Sequence, residues 1–216
     1  MKNSSAILEE RGVLAVGGPD RKAFLQGLVS NDVLKAGPDR AVHAALLTPQ
    51  GKYLHDFFIL EQDEILLLDC EAARIEDLLR RLGMYKLRSK VTLENRTGET
   101  AVAALFGDGA VQALGLPVEP GAARKLDAGA VYVDPRLAGL GARAILPRER
   151  AADILDATGF VHADAGDYDA MRLRHGVSDG TRDLVVDKSI LLEANFDVLN
   201  GISWDKGCYM GQELTA

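Results

Sequence analysis

Short apolar runs broken by glycine, proline and aspartate fill this chain, and they recur in the same order twice. Residues 13–28 (VLAVGGPDRKAFLQGL) read as a strand, a glycine turn and a helix. Residues 103–116 (AALFGDGAVQALGL) read the same way. Asp20 and Asp108 stand where N-caps belong, and Gly27 and Gly115 stand where the helices should stop. Residues 41–60 then give two strands around the turn Pro49-Gln50-Gly51, and residues 130–147 give two strands around Pro135 and a glycine-rich loop. A helix follows in each unit. Ile75, Leu78, Leu79 and Leu82 mark the buried face of one, and Ala151, Ile154 and Leu155 that of the other.

Strand, helix, hairpin, helix and returning strand is close to a split βαβ, ferredoxin-like unit. The expected fold is therefore α+β, with duplicated ferredoxin-like halves at about residues 10–95 and 100–165 of one module over residues 1–216. A ligand cleft is expected between the halves. Residues 166–216 form a third, non-repeating segment. It opens with a short helix in DYDAMRLRHGV. It continues as a long ordered loop, in which Ile190, Leu191, Leu192 and Phe196 need burial. Asn200-Gly201 is a turn signal leading into Ile202-Ser203-Trp204.

Composition narrows the class. Hydrophobic residues make up 47% and charged residues 26%, values of a soluble globular protein. The start, MKNSSAILEE, has no signal-peptide pattern, and no apolar run approaches a membrane span. A net charge of −7 argues against direct nucleic-acid binding. The basic stretch Arg74, Arg80, Arg81, Lys86, Arg88 and Lys90 reads as a solvated helix face or as a mouth for an anionic ligand. Two cysteines far apart suggest a reducing compartment, taken as the cytoplasm. Cys-x-x-Cys and paired-histidine spacings are missing, so no metal site is expected. Gly17-Gly18 lacks the GxGxxG spacing of a dinucleotide fingerprint.

The densest chemistry lies in KGCYMGQE, residues 206–213. Cys208 has Lys206 two residues before it and is bracketed by Gly207 and Gly211. A nearby ammonium favours the thiolate, the reactive form, and glycines leave room for another molecule. The other reading is a partly buried, inert thiol. Cys70 ends the apolar run ILLLDC and reads as buried. Asp56, at the end of PQGKYLHD, reads either as an acceptor near a strand end in the cleft or as a solvated strand residue.

KGCYMGQE resembles the signature of the YgfZ family, folate-binding proteins related to the glycine cleavage system T protein. FLQGLVSND (24–32), LTPQGKYLHDF (47–57) and LLEANFDVLNGISWDKGC (191–208) fit the same family. The resemblance implies a tetrahydrofolate-binding accessory protein for iron–sulfur cluster assembly or repair and, through client enzymes, tRNA modification. Its partners would be folate and iron–sulfur client or assembly proteins. Cys208 and Lys206 would carry the chemistry. Asp56, Glu193 and Asn195 would line the folate cleft, with Asn31, Tyr209 and Gln212 as further contacts. Members of the family continue past Gln-Glu into a C-terminal barrel, so a chain ending at Ala216 is expected to lack it. The alternative implied by the T protein is a folate-dependent aminomethyltransferase. His55 stands where that protein has an aspartate, and Arg174 where it has a pterin-binding glutamate, which argues against it.

Overall fold

A computed structural model of the chain describes residues 2–215. β1 (Ser4–Ile7) and β2 (Arg11–Gly17) are followed by α1 (Arg21–Gln26), β3 (Val42–Leu47), β4 (Tyr53–Gln62), β5 (Ile65–Glu71), α2 (Ile75–Lys86) and β6 (Thr92–Asn95). The series then repeats as β7 (Thr100–Phe106), α3 (Ala110–Ala113), β8 (Ala123–Leu126), β9 (Gly129–Val133), β10 (Ala142–Pro147), α4 (Ala151–Ala157) and β11 (Val161–His162). α5 (Ala165–Arg174) ends the regular structure, and short 3₁₀ turns and loops lead to the C-terminus.

The strands form two sheets, ordered β3-β4-β5-β2-β6 and β11-β1-β7-β10-β9-β8. Without β3, the first sheet has the strand order of a βαββαβ unit; β3 is an added edge strand. The second sheet repeats it, with β8 as the added edge and β1 inserted between β7 and β11. The duplication expected from the sequence is therefore present, but its hairpins align differently. The Pro49–Gly51 turn joins β3 to β4 and corresponds to the tight turn between β8 and β9, not to the loop at Pro135. β8 escaped the pattern because ARKL has too few apolar positions to read as a strand.

Alternation along the strands decides the layers. Leu14 and Val16 of β2 pack with Phe24, Leu25, Ile75, Leu78 and Leu82 of the first two helices. Val13 and Ala15 face the other way, against Phe58 and, across the interface, Val102, Ala104 and Tyr132. Successive strand residues point to opposite faces, so each sheet is buried on both sides, by helices outside and by the other sheet inside. That explains why the strands read as unbroken apolar runs. The segment after α5 closes one end: Leu191, Phe196, Ile202 and Tyr209 pack on Ala45, Leu47 and Tyr53. Leu192, expected inside, is 37% exposed.

The caps need two corrections. Gly109, with φ +85°, occupies the N-cap of α3 in place of Asp108. Asp20 stands at the N-cap of α1, but its carboxylate accepts the Lys90 amide at 2.7 Å, tying α1 to the loop after α2. Among the described residues no helix is long and apolar enough to cross a membrane.

Candidate functional site

β4 carries His55 and Asp56 to opposite faces of its sheet. His55 faces outward beneath α2, with Nε2 2.9 Å from Asp77 Oδ2. Burial, with Arg74 nearby, lowers its pKa to about 4, although Asp77 pulls the other way. Asp56 faces the interface between the sheets and is only 4% exposed. Its carboxylate accepts from Tyr53 Oη at 2.7 Å and faces His43 Nε2 at 3.4 Å, while His43 Nδ1 faces the Leu199 carbonyl at 3.3 Å. Burial would raise the Asp56 carboxyl. The His43 contact outweighs it, helped by Arg11 and Tyr53, and holds it well below the usual carboxylate range. Neither sequence reading of Asp56 describes it: it is neither solvated nor open to a ligand.

Behind Asp56 the interface is filled by a layer of charges that the sequence reading missed. Asp69 accepts from Arg11 Nε at 2.7 Å, Arg143 Nε at 2.8 Å and Tyr132 Oη at 2.8 Å. Asp134 holds Arg136 through both oxygens, at 3.0 and 2.8 Å. The guanidinium carbons of Arg11, Arg136 and Arg143 lie 5.7, 4.9 and 4.7 Å from the centroid of the Phe58 ring, within cation–π range. Burial would raise Asp69, but Arg11 and Arg143 keep it low. The signal was legible: Asp69 and Arg143 each interrupt an apolar strand pattern and Asp134 directly follows one, and charges buried in such runs must be paired.

Of the other expected folate contacts, Glu193 and Asn195 share a pocket, while Asn31, Tyr209 and Gln212 lie elsewhere. Glu193 and Asn195 line an open pocket of about 490 Å³ beside Arg172 and Leu184. Asp56 is not part of it. Asn195 adopts φ +57°, a left-handed turn position that asparagine tolerates. Arg174 is exposed at the end of α5. Asn31 spends its amide on the carbonyls of His43 and Asn200, both at 2.7 Å, and so staples the C-terminal segment to the first half. A second open groove, also about 490 Å³, lies where both halves meet that segment. Trp204 (57% exposed), Lys35, Arg40, Glu119 and Asp205 line it, with His43 at its floor.

The KGCYMGQE loop crosses the Pro49–Gly51 turn and the end of α1. Gly211 has φ +83°, and a Cβ there would sit 2.5 Å from the Thr48 carbonyl, so close packing accounts for this glycine. A Cβ on Gly207 would meet nothing within 4 Å, so that glycine leaves open space beside Cys208. Cys208 is exposed and Cys70 is buried, with burial pushing the Cys70 thiol up to about 12. Lys206 departs from its expected role. Its ammonium donates to the carbonyls of Gln26 at 2.7 Å, Val29 at 2.6 Å and Asn31 at 2.9 Å, and lies 5.0 Å from the Tyr209 ring centroid. It anchors the loop to the C-terminal end of α1, where cations are favoured. Burial lowers its pKa to about 8, against the pull of Asp32. Tyr209 is buried in the cluster with Leu47 and Ile202, and Gln212 Oε1 accepts the Tyr209 amide at 3.3 Å. Both residues shape the loop.

No family model matches the chain. The iron–sulfur cluster assembly factor IBA57 homolog of Mycosarcoma maydis is 36% identical over 225 residues, covering 98% of this chain and 52% of that protein. This chain is similar to IBA57 proteins along almost all of its length. Human IBA57 is 35% identical over 224 residues, covering 97% of the chain and 60% of its own length. The chain thus spans little more than half the length of these curated relatives. Among solved structures, glycine cleavage system aminomethyltransferase T from Bartonella henselae matches with a TM-score of 0.66 at 17% identity, over 82% of this chain and 52% of that one. That likeness shows the fold. The relatives carry the name IBA57 where the motifs suggested YgfZ, and both are named as mitochondrial. This corrects the cytoplasmic location expected from the sequence: unpaired thiols indicate a reducing compartment without saying which one.

Proposed function

We propose that this chain is an iron–sulfur cluster assembly factor of the IBA57 kind, working through Cys208 and without classical enzyme turnover. The observation that carries the reading is the similarity to IBA57 proteins over almost the whole chain. The placement of Cys208 supports it. Thiolates are the protein ligands of such clusters, and of the chain's two cysteines Cys208 is the exposed one. The tripod of carbonyls around Lys206 holds the loop backbone in place, and Gly207 keeps the approach open. Client enzymes, tRNA-modifying ones among them, would depend on the clusters it helps to place.

Tetrahydrofolate belongs to the same proposal, at a different place from the one read in the sequence. Asp56 is sealed by its own partners and lies apart from Glu193 and Asn195, so the three do not form one site. The groove at Trp204 does. It offers an exposed indole for stacking, carboxylates of Glu119 and Asp205 to accept pterin N–H groups, and Lys35 and Arg40 for glutamate carboxylates. The sealed Asp56 also weighs against aminomethyl transfer, which needs a carboxylate in reach of the reacting nitrogen. Expression of the chain in cells depleted of their own IBA57 tests the main reading. Restored iron–sulfur enzyme activity is the expected result, and no restoration despite soluble expression in the right compartment sinks it.

A further inference from the structure

α2 ends in a way that the other helices do not. α3, α4 and α5 are each followed by a glycine with positive φ: Gly115 at +66°, Gly159 at +74° and Gly176 at +66°. Glycine enters that region without strain, which is why it is common there. α2 has no such glycine: the first residue past it, Leu87, is itself at φ +40° with ψ −109°, outside the left-handed helical well. An L-residue in so sparsely populated a region is strained by about 1–3 kcal/mol, and its side chain, 88% exposed, gains no packing within the fold in return. A strained, solvent-facing leucine points to a use outside the folded chain.

Its surroundings share that character. Met84 is 55% and Tyr85 38% exposed on the same last turn. Lys86, Arg88 and Lys90 make no ion pair among the described residues, whereas Arg80 and Arg81 are held by Asp77. Residues 78–93 contain five cations and no carboxylate, in a chain whose net charge is −7. The shelf is joined to the cysteine loop, since Tyr85 Oη lies 3.0 Å from Met210 Sδ, two residues from Cys208.

We infer that this shelf, Met84 to Lys90, is the docking surface for an acidic protein partner that meets the Cys208 loop. The inference rests on the proposed role of that loop and adds the partner's chemistry. Leu87, Met84 and Tyr85 supply the apolar centre of the contact, and the unpaired cations supply a rim that attracts carboxylates. Nucleic acid is the less suitable occupant. A polyanion is repelled by the chain as a whole, and the basic patch is confined to one edge.

The test titrates the purified chain, one protein at a time, with the acidic iron–sulfur scaffold and carrier proteins of its source cell, and with bulk tRNA. One of the proteins should bind, more weakly as salt rises. Leu87→Gly and the pair Lys86→Glu, Arg88→Glu should each weaken that binding by about tenfold or more. Leu87→Gly should meanwhile leave the melting temperature unchanged or raised, which a merely structural leucine would not do. Equal binding by wild type and variants, binding by none of the proteins, or charge-dependent binding of tRNA instead overturns the inference. Full restoration of iron–sulfur enzyme activity by the charge-reversed variant also overturns it, while leaving the assembly role of the chain standing.

Discussion

Replacing Lys206 with methionine keeps most of the side chain's length and apolar bulk while deleting its ammonium. In the folded chain that ammonium donates to three backbone carbonyls, those of Gln26, Val29 and Asn31. An ammonium has three donors and no acceptor, so the arrangement satisfies it fully. The Val29 contact is buried, and losing a charged donor there costs about 1–3 kcal/mol. The Gln26 and Asn31 contacts are part-buried, so water replaces the lysine and each loss is about 0.5–1 kcal/mol. Methionine recovers part of this because no charge is then buried. The net destabilisation is about 2–3 kcal/mol. Arginine should restore only part of it, because a planar fork does not converge on three carbonyls around one point. Urea unfolding followed by circular dichroism measures the cost. Trp204, two residues away and exposed, reports loosening of the loop through its fluorescence. A Lys206→Met protein within about 0.5 kcal/mol of wild type, with unchanged fluorescence, would falsify the anchoring role.

Three further outcomes are expected. His55 has a folded pKa of about 4 against an ordinary value of 6.5, so the unfolded chain binds the extra proton between those values. Stability is therefore full above about pH 6.5 and falls by about 3 kcal/mol as pH drops towards 4. His55→Gln should flatten urea midpoints compared between about pH 7 and pH 5, and an unchanged slope contradicts the assignment. Asp69→Ala leaves Arg11 and Arg143 buried without their shared carboxylate and should cost about 3–5 kcal/mol; a loss under about 1 kcal/mol in chemical denaturation would disprove the pairing. Tetrahydrofolate should quench Trp204 fluorescence, and Arg40→Ala should weaken binding of a polyglutamylated form more than of the monoglutamate. Quenching unaffected by Arg40→Ala, yet lost in Glu193→Ala, would move the site back to the other pocket.

The duplication was legible because its elements are short and strongly punctuated: Gly17-Gly18 and Gly107 end strands, and Leu78 and Leu82 repeat on one helix face. What stayed hidden involves choices of face and distance. Consecutive residues on β4 belong to opposite sides of a sheet, so His55 and Asp56 do not share a site, although they are adjacent in sequence. Lys206 is near Cys208 along the chain, but its ammonium is committed to carbonyls 175 to 180 residues earlier. Sequence proximity gives no account of such long-range partners. The charge layer at the interface was hinted at by Asp69 and Arg143 inside apolar patterns and by Asp134 at the end of one. Its partners come from five different elements that only the fold assembles. Cys70 and Cys208 were separable from sequence, because a thiol in ILLLDC and a thiol between glycines sit in physically different settings.

The most direct test of the central claim uses the two cysteines against each other in cells depleted of their own IBA57. Wild type and Cys70→Ala should both restore iron–sulfur enzyme activity, because the Cys70 thiol is buried and shielded from a partner. Cys208→Ser should be present at the same level, melt at the same temperature and restore nothing. Full restoration by Cys208→Ser would contradict the account.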